Sequence, residues 1–79
     1  MPSRFAQSFD PELADTMREA FNLALEAAKA SVPTDELEWV RETLALRIID
    51  TALGGESKFD RLRDDALAFL ANAKMKKQA

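Results

Sequence analysis

The sequence predicts an all-α fold, a three-helix bundle. Three segments carry apolar residues at three- and four-residue spacing, which is the period of one face of an α-helix. Short breaks that contain proline or glycine separate the segments, and no segment alternates apolar and polar residues as a strand would. We therefore expect one unit over residues 1–79, with helices at about residues 10–30, 34–53 and 58–74.

The first helix is predicted to begin at Asp10, after a loose arm formed by residues 1–9. The Asp10 side chain can accept hydrogen bonds from the free amides of the first turn, and Pro11 stands where its missing N–H costs nothing. Pro33 disfavours helical geometry at the residue before it, so the helix should end near residue 30. Its apolar face consists of Leu13, Met17, Phe21, Ala24 and Ala28.

The second helix carries two apolar stripes. Thr34 is its predicted N-cap, and Gly54 is the predicted left-handed residue just past its end. The first stripe consists of Leu37, Val40, Leu44, Ile48 and Ala52. The second stripe consists of Trp39, Leu46, Ile49 and Leu53.

The third helix is predicted to begin with a capping box, in which Ser57 is followed three residues later by Asp60. Residues 75–79 are predicted to be a frayed basic tail. The residues predicted to form the core of the bundle are Leu13, Met17, Phe21, Leu37, Val40, Leu44, Ile48, Leu62, Phe69 and Leu70.

The surplus apolar surface of the second helix leaves two interpretations open. Either both stripes are buried inside one chain, or the stripe of Trp39, Leu46, Ile49 and Leu53 contacts another molecule. A chain of 79 residues buries only about 60–65% of its unfolded surface, so it has difficulty enclosing a helix on every side. We therefore expect a non-catalytic protein–protein interaction module that self-associates, a homodimer being favoured, or that binds another protein.

Composition excludes several chemistries. The chain has no Cys and no His, so it has no disulfide framework, no Cys or His zinc ligand, no His acid–base group and no Cys nucleophile. The acidic groups at residues 35–38 and 60–65 lack the spacing of a calcium-binding loop. We expect no enzyme activity, no cofactor and no metal.

The alternative function is DNA binding by a helix-turn-helix that would use Lys58, Arg61 and Arg63 at the start of the third helix. The net charge of −3 opposes this alternative, because DNA-binding domains normally show a basic surface. Salt-dependent binding to duplex DNA distinguishes the two functions, since phosphate contacts release counterions.

Arg47 lies within the apolar part of the second helix. We expect it to be a solvated or stem-packed side chain that is paired with Asp50 or Glu42, the alternative being an arginine that anchors an interface or a ligand.

The sequence shows no signal-peptide pattern at its start and no apolar run approaching the roughly 18 residues of a membrane span. We therefore expect no membrane association and a cytoplasmic location.

Residues 47–70 contain four short motifs: Arg47-Ile48-Ile49, Gly54-Gly55-Glu56, Arg61-Leu62-Arg63-Asp64 and Ala66-Leu67. With these motifs the segment resembles the C-terminal part of some short helical bacterial proteins of unknown function. Lys58-Phe59 stands where that pattern often has Asp-Pro. The resemblance implies a bacterial cytoplasmic protein and no particular activity.

Overall fold

The computed structural model describes residues 11–78 and shows three α-helices there. Helix α1 spans Pro11–Lys29, α2 spans Leu37–Leu53, and α3 spans Phe59–Gln78. No strand occurs in residues 11–78, so the all-α, three-helix fold is confirmed for this part of the chain. The predicted arm and the predicted cap at Asp10 lie outside the described residues.

Each helix packs against the other two, and the core is built from large residues on α2 and α3 that face buried alanines on α1. Alanine side chains are short, so α1 can approach the other helices closely. The buried residues are Ala20, Ala24, Ala28, Val40, Leu44, Ile48, Ala52, Leu62, Ala66 and Leu70.

The structure shows which stripe of α2 faces inward. Four members of the first stripe, Val40, Leu44, Ile48 and Ala52, are buried, and the fifth, Leu37, is half-buried. Three members of the second stripe are exposed: Leu46, Ile49 and Leu53.

The core prediction is wrong at Phe69, which is 41% exposed. The inner face of α3 is defined by Leu62, Ala66 and Leu70 at four-residue spacing, and Phe69 lies beside that face, over Arg47 of α2. Five of the predicted core residues are buried: Val40, Leu44, Ile48, Leu62 and Leu70. The others are half-buried: Leu13, Met17, Phe21 and Leu37.

The start of α2 differs from the prediction. Thr34 belongs to a 3₁₀ turn, Thr34–Glu36, whose N-cap is Pro33 and which has no side-chain cap. The turn closes through the amide of Glu36, which donates to the carbonyl of Pro33 at 3.0 Å. A backbone hydrogen bond therefore forms the turn that leads into α2, where the sequence predicts a threonine N-cap.

The end of α2 is a Schellman motif with Gly55 as its left-handed residue. The amide of Gly55 donates to the carbonyl of Ala52 at 3.0 Å, and the amide of Glu56 donates to that of Thr51 at 3.2 Å. Gly55 has φ +111°, whereas Gly54 has φ −77°, so the prediction of Gly54 as the left-handed residue is wrong by one position.

We expect Gly55→Ala to lower the free energy of unfolding by about 1 kcal/mol, because an L-residue at positive φ is strained. Gly54→Ala is the matched control. Its Cβ would meet the carbonyl oxygens of Thr51 and Asp50 at ordinary distances of 3.4 and 3.6 Å. Since its φ is already helical, we expect this change to be neutral or to stabilise by up to about 1 kcal/mol. Urea denaturation of both variants checks this, and equal effects would contradict the assignment.

The two ends of α3 also differ from the prediction. The carboxylate of Glu56 accepts hydrogen bonds from the backbone amides of Ser57 and Lys58, each at 3.1 Å. Glu56 therefore caps the turn before α3, in place of the predicted capping box of Ser57 and Asp60. At the other end α3 continues to Gln78, so residues 75–78 are helical where the sequence predicts a frayed tail.

Candidate interaction surface

The outer face of α2 is formed by Leu46, Ile49 and Leu53, which are 63%, 41% and 62% exposed. Their spacing of three and then four residues places the three side chains within about 60° of one another around the helix. This face is opposite Leu44 at the centre of the buried stripe. The described part of the chain therefore presents three large aliphatic side chains to solvent on one side of one helix.

Trp39 is the fourth residue that the sequence assigns to this surface. It lies seven residues before Leu46, which is two turns earlier on the same side of α2. The structure places it differently from the other three, because Trp39 is half-buried and packs against the core. Only part of its ring can contribute to an interaction surface.

A cleft between α2 and α3 adjoins the outer face at Leu46. Its volume is about 410 Å³, and it opens to solvent. Four of its lining residues lie on α2 and the fifth is Phe69 on α3; the lining consists of Thr43, Leu46, Arg47, Asp50 and Phe69. The exposed ring of Phe69 extends the apolar surface from α2 onto α3.

The wall of this cleft is fixed by an ion pair between α2 and α3. Arg47 Nε donates to Asp65 Oδ2 at 2.7 Å, and Arg47 Nη2 donates to Asp65 Oδ1 at 3.2 Å. A two-point contact of this kind fixes the orientation of the guanidinium as well as its position. The Arg47 guanidinium also lies 4.8 Å from the centre of the Phe69 ring, within range of a cation–π contact.

Thr51 completes the contact. Its hydroxyl lies 2.8 Å from Asp65 Oδ2 and 2.8 Å from the carbonyl oxygen of Arg47, and its one proton can be donated to either acceptor. The hydrogen bond from Arg47 is the main reason that the pKa of Asp65 is lowered from its ordinary value, with Thr51 adding to the effect against the cost of burial. The same pairing raises the pKa of Arg47.

The predicted partner of Arg47 is therefore corrected. Asp65, eighteen positions along the chain, is its main partner, while Asp50 lies 3.8 Å away and Glu42 makes no ion pair with it. The sequence contains one signal of this contact. Asp65 and Phe69, which both contact Arg47, are four residues apart and therefore share a side of α3. That signal does not give the rotation of α3 against α2, on which the pairing depends.

We expect Asp65→Asn to lower the free energy of unfolding by about 1 kcal/mol at neutral pH, a value that allows for solvent screening of this partly exposed pair. Because folding lowers the pKa of Asp65, the pair stabilises the protein above the ordinary pKa of 3.8. That stability is lost as the pH falls through the lower folded-state value. Denaturant titrations from pH 7 to about pH 3 should show the gap between wild type and variant closing in acid.

Glu19→Gln, on the exposed side of α1, is the control for this prediction. We expect its stability to stay within about 0.5 kcal/mol of wild type across the same range. A gap for Asp65→Asn that does not change with pH would contradict the role given to the ionised carboxylate.

The three basic residues of the DNA-binding alternative do not form one free surface. Lys58 and Arg61 are exposed. The guanidinium of Arg63 instead donates to Asp64 at 2.9 Å and lies 5.4 Å from the centre of the Phe59 ring. DNA binding stays a prediction, and a mobility-shift experiment at about 50 mM salt tests it.

Within residues 11–78 no group of three acidic side chains is placed to hold a metal ion. Over the same residues, each helix is too short or too polar to cross a lipid bilayer. For residues 11–78, the fold and this surface define a class, that of a small three-helix unit with an exposed apolar face on α2. No protein-family model, curated protein or solved structure matches the chain. The resemblance to short helical bacterial proteins accordingly stays a prediction.

Proposed function

We propose that this protein is a non-catalytic interaction module that self-associates as a homodimer through the outer face of α2. The observation that supports the proposal is the exposure of Leu46, Ile49 and Leu53 on one side of a helix whose other side is fully used by the core. Exposed leucine and isoleucine side chains gain free energy when they leave water, and a second copy of the same face supplies a matching surface.

The size of the apolar surface favours a dimer of modest affinity. Together the outer face and Phe69, at 63%, 41%, 62% and 41% exposure, expose the equivalent of two whole side chains. This corresponds to on the order of 300 Å² per copy at roughly 150 Å² for a large side chain. With a polar rim, two copies would bury about 1,000 Å² in total, which is at the lower limit for a specific interface. We therefore expect a dissociation constant in the micromolar range.

Light scattering after size exclusion, over a hundredfold range of protein concentration, tests the proposal. We expect the mass to rise from that of a monomer, 8.8 kDa, towards twice that value as the concentration increases. A monomer at every concentration would overturn self-association. A pull-down with the wild-type chain would then test the alternative that this face binds a different protein.

A further inference from the structure

The spacing of the apolar residues on α2 is symmetric about Leu46. Trp39 lies seven residues before it and Leu53 lies seven residues after it. Seven residues are two helical turns, so these three side chains project from the same side of α2. We call the line of contact along Trp39, Leu46 and Leu53 the seam. When two such helices run antiparallel and cross at Leu46, each Leu46 contacts Leu46 of the second copy, and each Leu53 contacts Trp39 of the second copy.

The cleft at Leu46 has the form of a hole that can receive a side chain. Its four α2 residues, Thr43, Leu46, Arg47 and Asp50, occupy positions i, i+3, i+4 and i+7, which is the set that surrounds each knob in a helix–helix seam. In the antiparallel arrangement, the knob that reaches this hole is Leu46 of the second copy. The surface is thus self-complementary, since each copy offers one knob and one adjoining hole.

Charge favours the antiparallel arrangement over the parallel one. Glu42 is exposed and lies in the same seam between Trp39 and Leu46, so a parallel pair would place the two Glu42 carboxylates together. A parallel pair would also align the two helix dipoles and bring together the acidic first turns, each carrying Glu38. Both costs are avoided when the helices run in opposite directions.

The antiparallel arrangement places the acidic start of one α2 beside the α2–α3 turn of the other copy, which carries charges of both signs. Asp35 and Glu38 of one copy then lie near Lys58 and Arg61 of the other, with Glu56 and Asp60 in the same segment. It sets Glu42 level with Asp50 of the second copy, but on the opposite flank of the seam. Arg47 lies 3.8 Å from Asp50 and offsets the charge of that carboxylate.

We infer that two copies of this chain pair through antiparallel α2 helices, with a two-fold axis at Leu46. This inference rests on the proposed self-association and adds the orientation and register of the partner. Leu46 is the central contact, and Leu53 packs against Trp39 of the second copy at both ends of the seam.

Single cysteines test the orientation without interference, because the natural chain contains no Cys. In the antiparallel pair, Leu46→Cys places its two thiols at the axis. Leu53→Cys places its two thiols about 21 Å apart along the helices, beyond the reach of a disulfide. Leu23→Cys on α1 replaces a similarly exposed residue away from the seam, so its cross-linking rate measures random collision between chains. Each variant is oxidised, and in parallel treated with a short bismaleimide, at a concentration where light scattering shows that the variant itself is dimeric whenever wild type is.

We expect Leu46→Cys to form covalent dimers at least about tenfold faster than Leu53→Cys or Leu23→Cys, since pairing raises the effective concentration of its thiols. Rapid cross-linking of both α2 variants would indicate a parallel seam and overturn the inference. If the protein is dimeric but all three variants cross-link only at the rate of random collision, the interface lies elsewhere and the inference is overturned. Monomeric mass for the wild type would instead overturn the proposed function, so the two failures are distinguishable.

Discussion

Leu46→Glu should convert the dimer to a folded monomer. The substitution places two carboxylates at the centre of the seam, where each would lose water and face a like charge. We expect the dissociation constant to rise at least about a hundredfold, equivalent to about 2.8 kcal/mol. The fold should survive, because Leu46 is 63% exposed in the monomer and Glu has a helix propensity close to that of Leu.

Two measurements are needed for this variant. Light scattering gives the mass, and far-ultraviolet circular dichroism with urea denaturation shows whether the helices persist. Leu23→Glu is the matched control, since Leu23 is 48% exposed on α1 and lies away from the outer face of α2. We expect that control to keep the wild-type mass. A Leu46→Glu variant that stays dimeric, or one that unfolds as a monomer, would show that the outer face is not the interface.

The number and type of elements could be predicted from sequence because each rests on local signals. Helical periodicity identifies three segments, and Pro33 and the pair Gly54-Gly55 place the breaks between them. Errors of one or two residues occur where backbone geometry competes with side-chain chemistry. Gly55 rather than Gly54 takes the positive φ, and the Glu56 carboxylate accepts a hydrogen bond from the Ser57 amide, which the predicted capping box assigns to Asp60.

The direction in which each helix faces is harder to predict, because it depends on all three helices together. On α2 the inner stripe runs without interruption from Leu37 to Ala52, whereas Glu42 interrupts the outer stripe between Trp39 and Leu46. That difference is a sequence signal for which stripe is buried. It becomes decisive only when the neighbours offer small residues, as α1 does with its three buried alanines.

The contact between Arg47 and Asp65 could not be predicted in the same way. Sequence separation hides it, and a nearer acid, Asp50, stands three residues from Arg47 on the same helix. The geometry decides in favour of Asp65 because α3 presents that carboxylate at the level of the guanidinium, with two-point contact. The exposure of Phe69 has the same origin, since the rotation that points Leu70 into the core turns Phe69 towards Arg47.

Leu44→Ala should have the largest effect on the stability of the monomer. Leu44 is fully buried and is among the largest side chains in the core. Truncating a buried leucine to alanine costs about 2–5 kcal/mol, depending on how far the surroundings collapse into the cavity. Half of the buried cluster consists of alanines, which have no rotamers with which to fill a void. We therefore expect a loss in the upper part of that range, out of a total of about 4–12 kcal/mol for a domain of this size.

The comparison that isolates this effect is Leu53→Ala, made on the same helix at a residue that is 62% exposed. Both substitutions should be introduced into Leu46→Glu, so that dimerisation does not contribute to the measured stability. Urea denaturation can be followed through the single tryptophan, Trp39, which packs against the core. We expect Leu53→Ala to stay within about 0.5 kcal/mol of its parent. If instead Leu53→Ala were the more costly change, α2 would face the core with its other stripe, and the surface proposed for self-association would be part of the interior.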